Sequence, residues 1–348
     1  MRTRQGAACA VAVLAAGTLT VTGIGTAGVE SRRAAAAETM RVSVSTVQYD
    51  SPGAVVPAIV TVHQVPRDHT ATITASGTGG STVSCVGASW RNPVRQTVSR
   101  TCYLRLPNQP GSYHVRGSAT VTRNGTSRTV SGLGSRPVRA EGKASPEPMS
   151  LATVEQITRC HNTTSDVWLT FDDGGSAAQV NSILTTLRRN NVKALFFFRG
   201  DWARSNPALL NKIRSEGHIL GNHTSTHRAL SADGKPSVFS QIDGGVAATG
   251  NPKLLRPPFG AGAFSTRIER YAAQRSYRLC RWTTDTYDWD GPTVDQMVER
   301  IVHGDYRSAP IRAGGNILMH GHGKHTAPGL QKIIDAVRGK GLRLMRLR

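Results

Sequence analysis

The sequence predicts an α/β protein whose C-terminal half is a parallel sheet, closed or nearly closed, preceded by a small all-β sandwich-like domain. Three observations carry this. From Val167 onward, short apolar runs alternate with segments of helical periodicity, the pattern of successive βα units. Between residues 41 and 130 the apolar runs are short, rich in Val, Ile and Thr, and separated by Gly, Pro, Asn and Asp, as in sandwiches. Residues 131–150 are rich in Gly, Ser and Pro and read as a linker between the two.

The chain is 348 residues long, with room for one to three domains. Arg2 and Arg4 precede an uncharged run rich in Ala, Val, Gly and Thr, and Ala34–Ala37 offers small residues for cleavage. Residues 1–37 therefore read as a signal peptide. An uncleaved membrane anchor is the rival reading, but the many Gly and Thr residues make a poor span. Cys9 leaves with that segment. Cys85, Cys102, Cys160 and Cys280 remain, an even number that suggests disulfides in an exported protein. Four cysteines allow three pairings; keeping each bridge within one domain favours Cys85–Cys102 and Cys160–Cys280.

The all-β domain, residues 38–130, is expected to carry strands near residues 41–48, 58–65, 70–75, 82–90, 98–106, 113–122 and 128–130. Its cysteine spacing is too short for the inter-sheet bridge of antibody domains. It shows no metal-ligating or nucleophilic constellation, which leaves a spacer or a glycan-holding module. In residues 151–348 a first strand at 167–171 leads to a helix on which Val180, Ile183, Leu184 and Leu187 share a face, with Ser176 as N-cap. A strand at 193–198 follows, then a helix opened by Asn206 and Pro207 and stopped by Gly217. Strands at 218–220, 253–255, 277–283, 315–319 and 342–347 and helices at 294–303 and 328–337 complete the alternation.

The chemistry starts at the first of these strands. Leu169–Thr170–Phe171 runs into Asp172, Asp173, Gly174 and Gly175. Two carboxylates at the C-terminal end of a strand stand where α/β folds keep their sites; Asp-Asp-Gly-Gly is also ordinary turn composition. Fifty residues on, His223 and His227 lie four apart, a spacing that on a helical turn puts both on one face. With Asp173 they make a three-ligand set that leaves room for water, the arrangement of a catalytic rather than a structural zinc.

Thr170–Phe171–Asp172–Asp173–Gly174 and His223-Thr-Ser-Thr-His227, followed in order by Arg256–Pro257–Pro258–Phe259–Gly260, Asp285–Thr286–Tyr287–Asp288–Trp289 and Ile317–Leu318–Met319–His320, resemble the polysaccharide deacetylase family, the NodB-homology group of carbohydrate esterase family 4. The resemblance spans residues 167 to 348. It implies a distorted (β/α) barrel and a hydrolase that removes acetyl groups from a carbohydrate polymer with one divalent metal ion, zinc first, cobalt or another ion as alternatives. It also implies roles. Asp173, His223 and His227 hold the metal, and Asp172 acts as general base with Arg256 orienting it. His320 acts as general acid with Asp288 as its partner. Pro257, Phe259, Trp289 and Leu318 shape the substrate pocket. Asp285 competes with Asp288 for the partner role, and His322 and His325 stay unassigned. Gly175 replaces the proline usual in the family, so the loop after Asp173 is expected to be mobile. Gly321 replaces a frequent aspartate after His320.

Composition narrows the partners. The net charge is +21. Residues 1–37 hold four arginines and one glutamate, so their removal leaves +18. Such a cation binds polyanions, and for an exported protein these are anionic cell-wall polymers. The positive residues are scattered rather than set along a helix with aromatics, which argues against nucleic acid. The expected protein is a secreted monomer, wall-associated or extracellular, with no lasting membrane span. Its substrate is an acetylated glycan: peptidoglycan, chitin oligomers or O-acetylated xylan. A catalytically inactive glycan-binding protein on the same fold is the alternative.

Overall fold

The structure is a computed structural model that describes residues 40–46, 49–79, 81–87, 89–92, 96–134, 136–144, 147–305 and 307–346. The expected signal peptide lies outside the described residues. Thr39–Arg348 forms one compact unit.

The N-terminal strands are β1 (Arg41–Thr46), β2 (Tyr49–Asp50), β3 (Val55–Val65), β4 (His69–Gly77), β5 (Ser81–Cys85), β6 (Ser89–Asn92), β7 (Gln96–Arg105), β8 (Gly111–Tyr113), β9 (Val115–Arg123), β10 (Thr126–Leu133) and β11 (Val138–Ala140). Two four-stranded antiparallel sheets result, ordered β1-β3-β7-β5 and β10-β9-β4-β6. Alternation decides which side chains face inward: Ala71, Ile73 and Ala75 of β4 and Val115, Ala119 and Val121 of β9 are buried, and so are Val60 and Val62 of β3. The all-β reading is confirmed, with two refinements. The run at 82–90 is two strands in different sheets, β5 and β6, because the chain crosses from one layer to the other. Cys85 and Cys102 are bonded across the β5–β7 pair.

The C-terminal half holds α1 (Leu151–Thr158), β12 (Trp168–Asp173), α2 (Ala177–Arg189), β13 (Ala194–Phe198), α3 (Gly200–Ser205), α4 (Pro207–Ser215), β14 (Ile219–Asn222), α5 (Lys235–Asp243), β15 (Lys253–Leu255), α6 (Thr266–Ala273), β16 (Tyr277–Leu279), β17 (Thr284–Asp285), α7 (Val294–His303), β18 (Asn316–His320) and α8 (Thr326–Gly339). Its seven strands form one parallel sheet, β16-β15-β14-β13-β12-β18-β17, curled into a partial barrel and surrounded by helices. Strand β13 sits at its centre and is apolar and buried on both faces, as a doubly covered sheet requires, and β12 beside it is buried from Leu169 to Asp172. Ser176 caps α2 in a full capping box with Gln179. Cys160 and Cys280 are bonded, as expected.

Three expectations change. The strand read at 277–283 ends at Leu279, and the one read at 342–347 makes a single bridge, Leu344 to Val167. The segment 131–150, read as a linker, is folded: it contains the end of β10 and all of β11, which pairs with β2 and β8. Local Gly, Ser and Pro content signalled flexibility, but the pairing partners of β11 are remote in sequence.

The two halves also share one core. Val44, Val60, Ile73 and Leu104 of the sandwich belong to the same buried apolar cluster as Val154 and Ile157 of α1, Leu255, Phe264 and Leu279. Strand β2 carries Asp50 into this region with no exposure, near the buried guanidinium of Arg281. Burial pushes the Asp50 carboxyl up to about 7, against the pull of Arg281. Domains joined by a real linker unfold separately; a shared core couples them. Calorimetry of the protein starting at Thr39 is expected to show one cooperative transition, and two resolved transitions would contradict this packing.

Candidate active site

Every motif read from the sequence arrives at a strand's C-terminal end on the same side of the curled sheet. Asp172 and Asp173 close β12, and His320 closes β18 in register beside Asp172. His223 follows β14 directly, Arg256 follows β15, and Asp288 opens the 3-10 turn after β17. Asp172, Asp173, His223, His227 and His320 line a cleft of about 420 Å³, which also takes in Arg136, Phe259, Trp282, Asp285, Trp289, Leu318 and His322; Arg256 and Asp288 stand buried behind it.

Asp173, His223 and His227 converge, with one ligand atom from each lying within 4.8 Å of the others. The Nε2 atoms of His223 and His227 stand 3.4 and 3.1 Å from Asp173 Oδ1. That oxygen is buried and accepts no well-formed hydrogen bond, which is costly unless a cation completes it. The His223 Nδ1–H donates to the Arg256 carbonyl at 2.7 Å, which leaves the Nε2 lone pair facing Asp173. Burial opposes charge on Asp173, but the two imidazoles, when protonated, outweigh it and hold the carboxyl well below the usual range. A carboxylate and two imidazole nitrogens are a zinc-type donor set.

The histidine pair is not on a helical turn, as its spacing suggested. Residues 223–229 form an irregular loop in which Thr224 and His227 adopt left-handed backbone, φ 66° and 61°. Such conformations are rare for non-glycine residues and unfavourable for a β-branched one. Side chains hold the loop in place: Asn222 Oδ1 accepts from the Thr224 N–H at 2.8 Å, and Thr224 Oγ1 accepts from the His227 N–H at 3.1 Å. Asp173, Phe259 and Tyr287 are left-handed too, so each of these site loops carries local strain.

Asp172 is buried and its Oδ1 accepts a hydrogen bond from Arg256 Nη1 at 2.7 Å. Oδ2 points toward His223 Nε2, 3.7 Å away. Arg256 is fully buried and also donates to Thr170 Oγ1, to Cys280 Sγ and to the Arg281 carbonyl. Its guanidinium lies 4.1 Å from the centre of the Phe197 ring. Burial lowers its pKa, and Asp172 opposes that.

His320 Nδ1 donates to Asp288 Oδ1 at 2.8 Å, and the His320 backbone N–H donates to Oδ2 at 2.6 Å. Burial alone lowers the pKa of the imidazole, yet the Asp288 carboxylate raises it to about 10. Asp285, the competing partner, instead accepts from the Tyr287 N–H at 2.7 Å, and burial pushes its carboxyl up to about 6.

Comparison with known proteins bears directly on this arrangement. The polysaccharide deacetylase profile matches residues 161–280. A peptidoglycan-N-acetylglucosamine deacetylase of Bacillus cereus is 31% identical over 196 residues, which cover 53% of this chain and 67% of that protein. A chitooligosaccharide deacetylase of Sinorhizobium fredii is 31% identical over 160 residues, covering 44% of this chain and 71% of the other. The chain belongs to the polysaccharide deacetylase family. It spans only 37% of another relative, the Listeria monocytogenes peptidoglycan-N-acetylglucosamine deacetylase PgdA, at 31% identity over 51% of this chain. Among solved structures, a family 4 carbohydrate esterase from Streptomyces lividans with acetate is 30% identical, covering 52% of this chain and 91% of that one, with a TM-score of 0.45.

For a family deacetylase, the remaining lining residues divide clearly. Phe259 and Trp289 are exposed, 50% and 45%, and stand at the cleft, and Leu318 forms part of its buried wall. Pro257 is buried and does not line the cleft. It precedes the 3-10 turn Pro258–Gly260 that presents Phe259, so its part is to shape that turn rather than meet substrate. The loop after Asp173 is packed, not loose. A Cβ on Gly175 would stand 2.4 Å from the Gly321 carbonyl oxygen, and Trp202 Nε1 donates to the Gly175 carbonyl at 2.8 Å. Trp282 and Arg136 were invisible as site residues in the sequence: neither lies in a recognised motif, and Arg136 falls in the expected linker. His322, left unassigned, reaches within 3.8 Å of Asp173 Oδ2.

Breaking a buried ion pair by removing one partner costs about 3–5 kcal/mol. Arg256→Met is expected to lose that much in denaturant unfolding. A change no larger than a surface substitution, about 0.5 kcal/mol, would show that the pair is not a structural constraint.

Proposed function

We propose that the protein is a metal-dependent hydrolase that removes acetyl groups from a carbohydrate polymer. The observation that carries this is the opposition of two hydrogen-bonded proton-handling pairs across one metal-ligand set. Asp172 is held on Arg256, and His320 is held on Asp288, with Asp173, His223 and His227 beside them in the same cleft.

Asp173, His223 and His227 would hold the ion, zinc first on donor chemistry. When bound, such an ion acidifies water and polarises the acetyl carbonyl. Asp172, held in place by Arg256, takes a proton from the attacking water through Oδ2. His320, kept protonated by Asp288, gives a proton to the departing sugar nitrogen or oxygen from Nε2. Phe259, Trp289 and Leu318 exclude water and seat the acetyl methyl and the sugar face.

The substrate class follows from the relatives, whose names specify peptidoglycan N-acetylglucosamine and chito-oligosaccharides. An N-acetylated glucosamine glycan is therefore the reading favoured over O-acetylated xylan. The intact acid, base and ligand set favours hydrolysis over mere glycan binding on this fold. We also read residues 1–37 as an export signal and the basic surface as a contact for anionic wall polymers. Among the described residues no helix is long and apolar enough to cross a membrane.

Acetate release from peptidoglycan, chitopentaose and acetylated xylan, with zinc or cobalt added, tests the activity. Release from the two glucosamine glycans is expected, with Asp172→Asn slower by about 10²–10⁴-fold. No release from any of the three, or full activity in Asp172→Asn, would contradict the reading.

The pH profile tests the acid. His320 must be protonated, so kcat/KM is expected to hold at lower pH and fall as pH rises through the folded pKa of about 10. A bound dication lowers that limb by repelling imidazolium. In Asp288→Asn burial is no longer opposed by the carboxylate, so the alkaline limb moves to still lower pH. An unmoved limb would remove His320 from the acid role.

A further inference from the structure

One part of the cleft wall has no place in the acetyl chemistry, and it comes from the sandwich half of the chain. Arg136 lies between β10 and β11 and lines the same cleft as Asp172, Asp173 and His320. Among the described residues that line the cleft, it is the one arginine or lysine. Its Nη2 stands 3.5 Å from Asp290 Oδ2. Asp290 ends the 3-10 turn Asp288–Asp290, which also carries Trp289. Arg307 Nη2 reaches the same Asp290 oxygen at 2.6 Å.

Two guanidiniums on one carboxylate leave a net positive charge beside the cleft. Their exposures assign the surplus. The Arg307 side chain is 10% exposed and its guanidinium lies 3.8 Å from the Tyr287 ring centre, so it is committed to holding the turn. The Arg136 side chain is 42% exposed and its contact with Asp290 is long, which leaves donors directed at solvent. The other arginine next to the chemistry, Arg256, is buried behind Asp172 and unreachable by substrate. The position of Arg136 is itself fixed by the fold. Strand β11, which begins two residues on, pairs with β2 and β8, so the chain is anchored just after Arg136.

We propose that Arg136 is a specificity-determining residue that binds a carboxylate on a sugar next to the one losing its acetyl group, so that the sandwich gives the cleft a preference for acidic over neutral glycans. A planar guanidinium matches a carboxylate with two parallel hydrogen bonds, and such charge-assisted bonds are stronger than neutral ones. Trp289, on the same turn as Asp290, supplies an aromatic face for the sugar between the two anchors. This rests on the deacetylase reading above and narrows its substrate to glycans that alternate an acetylated glucosamine with an acidic sugar.

The test uses a peptidoglycan-derived tetrasaccharide, which bears lactyl carboxylates, and the same tetrasaccharide with those carboxylates reduced to alcohols. Binding of each to the full chain is measured by calorimetry, and kcat/KM for acetate release is measured alongside. In the wild-type protein the acidic form is expected to bind about tenfold tighter than the reduced form, equivalent to about 1.4 kcal/mol. Arg136→Ala is expected to abolish that ratio through KM rather than kcat, and Arg136→Lys to restore part of it. The same ratio in wild type and Arg136→Ala would overturn the proposal, as would no preference in the wild type. Because the ratio is read from binding as well as turnover, a protein that binds with this preference but releases no acetate would contradict the deacetylase reading and leave the role of Arg136 supported.

Discussion

Arg256 is the constraint on which the site depends. Its guanidinium is fully buried and it does not give up its charge at any ordinary pH. A charge so placed is tolerable only with an opposite charge beside it and most of its donors used. Asp172 supplies the partner; Thr170, Cys280 and the Arg281 carbonyl accept from the two terminal nitrogens, while the buried Nε has no hydrogen-bond partner among the described residues. The backbone carbonyl of the same residue fixes the His223 ring. One residue thus ties the central strand β12, the strand β15, the Cys160–Cys280 disulfide and the first histidine of the ligand set into one body. The position of the Asp172 carboxylate follows from the architecture and is not left to solvent.

The second half of the site uses the same device with the signs reversed. Asp288 is buried and charged, and His320 must balance it. Burial disfavours the imidazolium, but the Asp288 carboxylate bonded to it outweighs that cost and keeps the ring charged. The sheet sets the two pairs against each other: Asp172 and His320 are cross-strand neighbours on β12 and β18. Left-handed backbone at Asp173, Thr224, His227, Phe259 and Tyr287 is the local cost of turning four loops toward one site.

The sequence made much of this legible, for a physical reason. Strands buried on both faces read as apolar runs, and helices such as α7, with Thr293 at its cap, carry their own periodicity and boundaries. Site residues were legible because each stands at the end of such a strand, in a motif whose order the family resemblance supplied. Features fixed by remote contacts were not legible. The loop of His223 and His227 looked like a helical turn because spacing says nothing about φ. The run at 82–90 looked like one strand because alternation does not reveal a change of sheet. The run at 342–347 looked like a strand, yet among its described residues pairing is a single bridge, Leu344 to Val167. Arg136 looked like linker because its significance lies in β11, three residues long and paired only with segments distant in the chain.

Asp173, His223 and His227 would hold one divalent ion while Asp172, next to Asp173 in sequence, stays on Arg256. A crystal structure of the zinc-loaded protein, with anomalous scattering recorded at the zinc edge, tests that division most directly. The expected result is one anomalous peak per chain, bonded to Asp173, His223 and His227, with the Asp172–Arg256 hydrogen bond retained. No peak in the cleft, or a peak ligated by Asp172 with Arg256 released, would contradict it.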